Sequence, residues 1–356
     1  MCRTAFDEAI ALGHHWVGEE HFLLALVGDH PPRTGGASLL APLGLSHAEV
    51  ASAVTARIDM VGPPLPKEFE GCLSAPTYHT ILGRAEGFAL GSGSALTGPA
   101  DVLAALFWEP AGTPSELLAT VGRSRSTVLD IVTGSGRRVP VTPTANPLAA
   151  PAEREAVVLG HSFIGDEHVV LALLADEPDD RAGQALRQAG VGHDRLATRL
   201  AHMVANCDPP VPPSRDVGSA RPNPRCRQLM GRAEGLATML GDGVVVSTDG
   251  LIAYLWQGDG QPVLALEALD TSATDVLAAL AELDVAVPTS PLPQPDRTPW
   301  GERVYVPAER MKDVVARLSA DLPPGTWGCN SHEGREWVVA HAVIDLAGIV
   351  DDVLAS

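Results

Sequence analysis

The stretch LGHHWVGEEHFLLALVGD at residues 12–29 returns at residues 159–176 as LGHSFIGDEHVVLALLAD. Gly13, His14, Gly18, Glu20 and His21 have counterparts in Gly160, His161, Gly165, Glu167 and His168, each 147 residues further on. A constant offset over five positions, with matched apolar residues between them, marks an internal duplication. That constrains the fold more than any local propensity does, because each copy must solve the same packing problem.

Between the strong copies lie weaker ones. Residues 84–110 and 232–258 both open on Arg-Ala-Glu-Gly, pass through a glycine-rich break and continue as an apolar, helix-like run, 148 residues apart. The order is therefore A, B, A′, B′: a unit of two repeats, itself copied. In the first repeat TAFDEAIALG is amphipathic and stops at Gly13, a C-cap residue type. EEHFLLALVG carries acids at its N-terminus, where the helix dipole favours them. SLLAPLGL reads as a further helical piece. SHAEVASAVTARI begins with Ser46 and has Glu49 three residues on, the pattern of a capping box. In the third repeat AGQALRQAGV and HDRLATRLAHMV restate the last two pieces.

Proline-rich stretches punctuate this order at 62–71, 134–147, 208–224 and 287–299. They divide the chain into a first domain at 1–138 (repeats 1–62 and 68–135) and a second at 139–287 (repeats 141–207 and 221–287). A linker follows at 288–299, then a last module at 300–356. In that module ERVYVP reads as a strand, AERMKDVVARLSADL as a helix, EWVVAHAVI as a strand or buried helix, and DLAGIVDDVL as a helix. It is a small α+β piece near the minimum size for independent stability.

With 44 acidic against 25 basic residues the net charge is −19, which disfavours nucleic acid and anionic membranes as partners. No apolar run is long enough to span a bilayer. The N-terminus has neither a basic nor an apolar leader region, so a secretory signal is not expected. The five cysteines, Cys2, Cys72, Cys207, Cys226 and Cys329, include no CxxC pair, which suits a reducing cytoplasm and argues against a zinc ribbon.

EAIALGHHWVGEEHFLLAL and EAVVLGHSFIGDEHVVLALL resemble the Clp repeat of the N-terminal domains of ClpC- and ClpA-type unfoldases, with its Leu-Gly-His and Gly-x-Glu-His signature. The resemblance covers residues 1–287. It implies a mainly α fold: two tandem Clp-N-like domains, each a pseudo-twofold pair of four-helix repeats, followed by the small α+β module. That family opens its first helix with a Phe-Thr-x-Arg stretch upstream of the position matched by Ala9. Its lack here implies a short first helix or a start further upstream. These 356 residues hold no GxxxxGK[ST] phosphate loop and hence no nucleotide-driven motor.

In family members that bind phosphoarginine, the Glu of Gly-x-Glu-His faces the guanidinium. That resemblance makes Glu20 and Glu167 ligand-binding candidates, a carboxylate being a planar partner for an arginine fork. As bare residues they equally read as N-terminal helix acids. The family's Thr-Pro-Arg phosphate partner is represented by Ser74–Pro76, Val141–Thr144 and Pro222–Arg225, in which only Thr142 and Arg225 keep the expected types. Trp108 and Trp256, 148 residues apart, read as core aromatics or as peptide anchors in the groove between repeats.

His14, His15 and His161 stand near His21 and His168, yet zinc needs three or four converging ligands. The weaker copies replace these residues, at Gly98–Asp101 and Ser247–Gly250, and no metal is expected. Cys329, His332 and His341 form a loose set in the last module without a fourth donor. Gly-x-Ser-x-Gly is absent, so no catalytic residue and no cofactor is assigned.

The resulting expectation is a cytoplasmic, non-enzymatic protein. It would bind a ClpC-type unfoldase or its protein and peptide substrates as an adaptor, competitor or decoy. One alternative is sequestering of ClpC-directed peptide antibiotics. Another is a hydrolase or metal-dependent activity in the last module, with the helical part as a targeting domain.

Overall fold

A computed structural model describes residues 2–14, 16–28, 39–57, 73–94, 96–139, 146–161, 163–175, 180–205, 221–241, 243–256, 266, 269–289, 303–306, 317, 327–332 and 335–340. Repeat A comprises α1 (Cys2–Ala11), β1 (Trp16–Val17), α2 (Glu19–Val27), a 3-10 turn (Ala41–Leu43) and α3 (His47–Arg57). Repeat B comprises β2 (Leu73–Ser74), α4 (Pro76–Gly91), α5 (Pro99–Leu106), α6 (Thr113–Thr120) and α7 (Arg125–Gly134). Repeat A′ has α8 (Ala149–Val158), β3 (Phe163–Ile164), α9 (Asp166–Ala175), α10 (Arg181–Gln188) and α11 (His193–Ala205). Repeat B′ has β4 (Arg221–Pro222), α12 (Pro224–Leu240), α13 (Ser247–Leu255) and α14 (Ala273–Glu282). The fold is mainly helical, as the duplicated pattern predicts.

One expected helix differs. The SLLAPLGL piece of the first repeat is only a 3-10 turn among the described residues, whereas the third repeat keeps a full α10 at that place. Pro42 sits inside the turn, where it withholds a backbone N–H and discourages longer helix.

Each repeat hides one apolar helix at its centre: α2, α5, α9 and α13. In α9 every residue from Asp166 to Leu174 is buried, as expected of a helix that is hydrophobic all round. Around α2 and α5 the first core gathers Phe22, Leu24, Phe88, Leu103, Phe107 and Leu118. Around α9 and α13 the second gathers Val169, Leu171, Leu229, Leu236, Ile252 and Tyr254. Full burial of each such side chain contributes about 1.5–3 kcal/mol.

The last helix of every repeat is entered through a left-handed residue three positions before its start. These are Gly44, Gly122, Gly190 and, in the fourth copy, Asp270 with φ 58°. The same turn in all four copies makes the weak repeats structural equals of the strong ones. Ser46–Glu49 forms the expected capping box: Ser46 N–H donates to Glu49 Oε2 at 2.9 Å, and Glu49 N–H donates back to Ser46 Oγ at 3.3 Å. Ser272 and Asp275 repeat it in B′.

Two short parallel strand pairs fasten A to B and A′ to B′, with Trp16 opposite Leu73 and Phe163 opposite Arg221. The domains then meet through α4 and α12, which lie side by side, parallel and in register. A Cβ at Gly231 would stand 2.5 Å from the Thr80 carbonyl oxygen, and one at Gly91 would stand 2.5 Å from Met239 Cβ. Cβ atoms at Gly83, Gly87 and Gly235 would collide with the carbonyls of Gln228, Arg232 and Arg84. Only glycine admits so close a backbone approach. Leu90 packs into the second core, and Met239 reaches back against the first.

In the last module β5 (Arg303–Val306) and β6 (Trp327–His332) flank β7 (Arg335–Ala340) in an antiparallel sheet ordered β5-β7-β6. Within the ERVYVP and EWVVAHAVI readings, the described residues 303–306 and 336–340 are strand. Of the two helices expected there, only Arg317 of the first falls among the described residues, where it is helical, and the second lies outside them. Cys329 and His332 both fall on β6, opposite Val338 and Arg335.

Candidate functional site

The Gly-x-Glu-His phrase builds the turn from β1 into α2. Gly18 N–H donates to His21 Nδ1 at 3.0 Å, and His21 Nε2 lies 2.8 Å from His14 Nδ1. Because Nδ1 accepts the backbone proton, the His21 hydrogen sits on Nε2 and is donated to His14. Glu20 folds back over the glycine, so that a Cβ at Gly18 would stand 2.6 Å from Glu20 Oε2. The glycine, the glutamate and the histidine are therefore required together, which explains their spacing.

The second copy repeats the frame. Gly165 N–H donates to His168 Nδ1 at 2.8 Å, and His168 Nε2 faces His161 Nδ1 at 2.7 Å. His21 and His168 are both 0% exposed. In the weak repeats an aspartate replaces the histidine as the acceptor. Gly98 N–H donates to Asp101 Oδ2 at 2.7 Å, and Val246 N–H to Asp249 Oδ2 at 2.9 Å. The residues equivalent to Gly18–His21 are thus Gly98–Asp101 and Val246–Asp249, which shifts the sequence assignment of the fourth copy by one position.

The carboxylates differ between the copies. Glu20 is 5% exposed, and its Oε1 has no hydrogen-bond donor among the described residues while lying 3.0 Å from His21 Nδ1, itself an acceptor. Burial pushes its pKa up, but the imidazole of His21 beside it, aided by His14, holds it below its ordinary 4.5. Beside it Glu19 Oε1 accepts the Thr113 N–H at 3.3 Å, at the start of α6. Glu167 instead is pushed up to about 8 by burial and by the adjacent Asp166 carboxylate, against the pull of Arg225. Asp166 is itself only 2% exposed. His168 is driven down to about 3 by burial, with His161 adding to the effect.

His14, Glu20 and His21 bring donor atoms within 4.8 Å of one another, as do His161, Glu167 and His168. The glutamate lies at the Nδ1 edge of the buried ring and the partner histidine at its Nε2 edge, and both ring nitrogens already serve hydrogen bonds. The arrangement suits a fixed turn better than a metal.

Among the other candidates, the structure brings Arg225 within electrostatic reach of Glu167. Thr142 lies outside the described residues. Trp108 is not available as a peptide anchor. It is 2% exposed, packs edge-on against Phe88 at 6.0 Å, and has Arg84 over its face at 4.8 Å. Trp256 is half-buried against the second core, with its Nε1 buried and without an acceptor among the described residues. Sequence reasoning missed the α4–α12 contact, although the Gly83-x-x-x-Gly87-x-x-x-Gly91 and Gly231-x-x-x-Gly235 spacing carried its signal.

The model of the Clp repeat (R) N-terminal domain matches residues 1–121 and 140–269, each stretch holding one Gly-x-Glu-His frame. The chain belongs to this family. Over 186 residues it is 26% identical to the chloroplastic chaperone protein ClpC of Pisum sativum, which covers 50% of this chain and 20% of that relative. It therefore spans about a fifth of that relative's length. No described helix is long and apolar enough to cross a membrane.

Proposed function

We propose that this Clp-repeat protein is a non-enzymatic receptor in the Clp proteolysis system. It would bind a ClpC-type unfoldase or the protein and peptide segments such an unfoldase handles, as adaptor, competitor or decoy. The observation that carries this reading is the Glu20 carboxyl, with a buried oxygen that lacks a donor among the described residues and faces a ring nitrogen that is also an acceptor. A buried acceptor left unmade costs about 1–3 kcal/mol, and a cationic donor from a ligand removes that cost. A guanidinium offers such a donor in planar form. Glu167, with Arg225 nearby, adds a basic group for an anionic ligand group, which the first domain lacks at the equivalent Thr77.

Capture from a native lysate, followed by mass spectrometry, tests the reading. The wild type should enrich a Clp unfoldase or its client proteins, and the Glu20→Ala/Glu167→Ala double variant should lose most of that enrichment. Equal recovery by both removes these carboxylates from the binding surface. Peptidase activity that vanishes on Cys329→Ala would favour an enzymatic last module instead.

A further inference from the structure

The contact between the two domains has the form of a homodimer interface. Arg84 Nε donates to Glu234 Oε2 at 2.7 Å, and Arg232 Nη2 donates to Glu86 Oε2. Arg84 and Arg232 are equivalent residues 148 apart, as are Glu86 and Glu234. Each arginine therefore crosses to the counterpart of the glutamate two residues along its own helix. The glycine contacts are reciprocal in the same way: Gly83 and Gly87 meet the backbone at Gln228 and Arg232, while Gly231 and Gly235 meet it at Thr80 and Arg84. Residue i touching j while the equivalent of j touches the equivalent of i is the rule of an isologous twofold contact. The arginines are 12% and 7% exposed, Glu234 is 11% and Glu86 31% exposed, so the Arg84–Glu234 pair is largely desolvated and the Arg232–Glu86 pair partly so, and a mismatch is costly.

We propose that the Gly-Arg-Ala-Glu-Gly face is a homotypic pairing surface whose partner is any second helix carrying the same face. In the native chain the sister domain supplies that helix and closes the surface internally. When internal pairing is blocked, a second copy of this chain supplies it.

Charge reversal separates this from a contact that is merely close. In Arg84→Glu/Glu86→Arg the internal pairs become Glu against Glu234 and Arg against Arg232, both repulsive. Between two copies of that variant, however, reversed α4 matches reversed α4, and native α12 matches native α12. Size-exclusion chromatography with light scattering on the full chain should give 37.1 kDa for the wild type and about twice that mass for the variant. Adding Arg232→Glu/Glu234→Arg restores both ion pairs that cross from α4 to α12, and the fourfold variant should return to the monomer mass. A double variant that stays monomeric, whether its domains remain joined or separate, overturns the proposal. So does a fourfold variant that fails to fold or remains dimeric.

Discussion

The two strong copies share a backbone frame and differ in charge. In the first, Glu19 turns outward to the start of α6 and leaves Glu20 beside a histidine. In the second, the shorter Asp166 stays buried beside Glu167, and its carboxylate raises the pKa of Glu167 on top of the effect of burial. Loss of one methylene, from Glu19 to Asp166, accompanies a change from a carboxyl held below 4.5 to one held near 8. Duplication preserved the turn because its hydrogen bonds are obligatory. It left the charge free to diverge because nothing in the frame depends on it.

Breaking the frame should have the largest effect, and the same one in both copies. His21→Ala or His168→Ala strands a buried glycine N–H and a buried histidine and opens a cavity. Each should lower stability by about 2–4 kcal/mol in denaturant unfolding. A large loss in one copy and none in the other would show that the two turns are not held alike.

The pH dependence should separate the copies, by a smaller amount. Glu167 is raised, so its contribution to stability is complete below about pH 4.5 and is lost as pH rises towards 8. His168 is lowered, so its contribution is complete above about pH 6.5 and is lost as pH falls towards 3. Between those limits the two slopes oppose, and the melting temperature should be broadly flat. Glu167→Gln should flatten the alkaline fall. Glu20 is lowered, so Glu20→Gln should alter only the acid side, below 4.5. Thermal melts across the pH range would check all three; identical profiles for the two variants would contradict the asymmetry.

Much of the frame is legible in the sequence. The offset of 147 between Gly-x-Glu-His copies sets the repeat, Gly13 marks the end of the first helix, and Ser46 with Glu49 announces a capping box. The weak copies are harder to read, because Asp101 and Asp249 replace a histidine while making the same bond to the backbone. Hydrogen-bonding equivalence of that kind is invisible to residue matching. The core role of Trp108 is not decided by sequence, which shows neither Phe88 behind it nor Arg84 over it. The domain contact reads only as a repeat signature, since a Gly-Arg-Ala-Glu-Gly helix states its need for a close neighbour without naming which one. The opposed charge states of Glu20 and Glu167 depend on burial and on side-chain direction, which a linear pattern does not carry.

Carboxyl carbon NMR, following Glu20 and Glu167 in the same sample through a pH titration, tests this divergence most directly. Glu167 should titrate near 8 and Glu20 below 4.5. Two carboxyls that titrate together near 4.5 would contradict the claim that one duplicated frame now holds two different electrostatic sites.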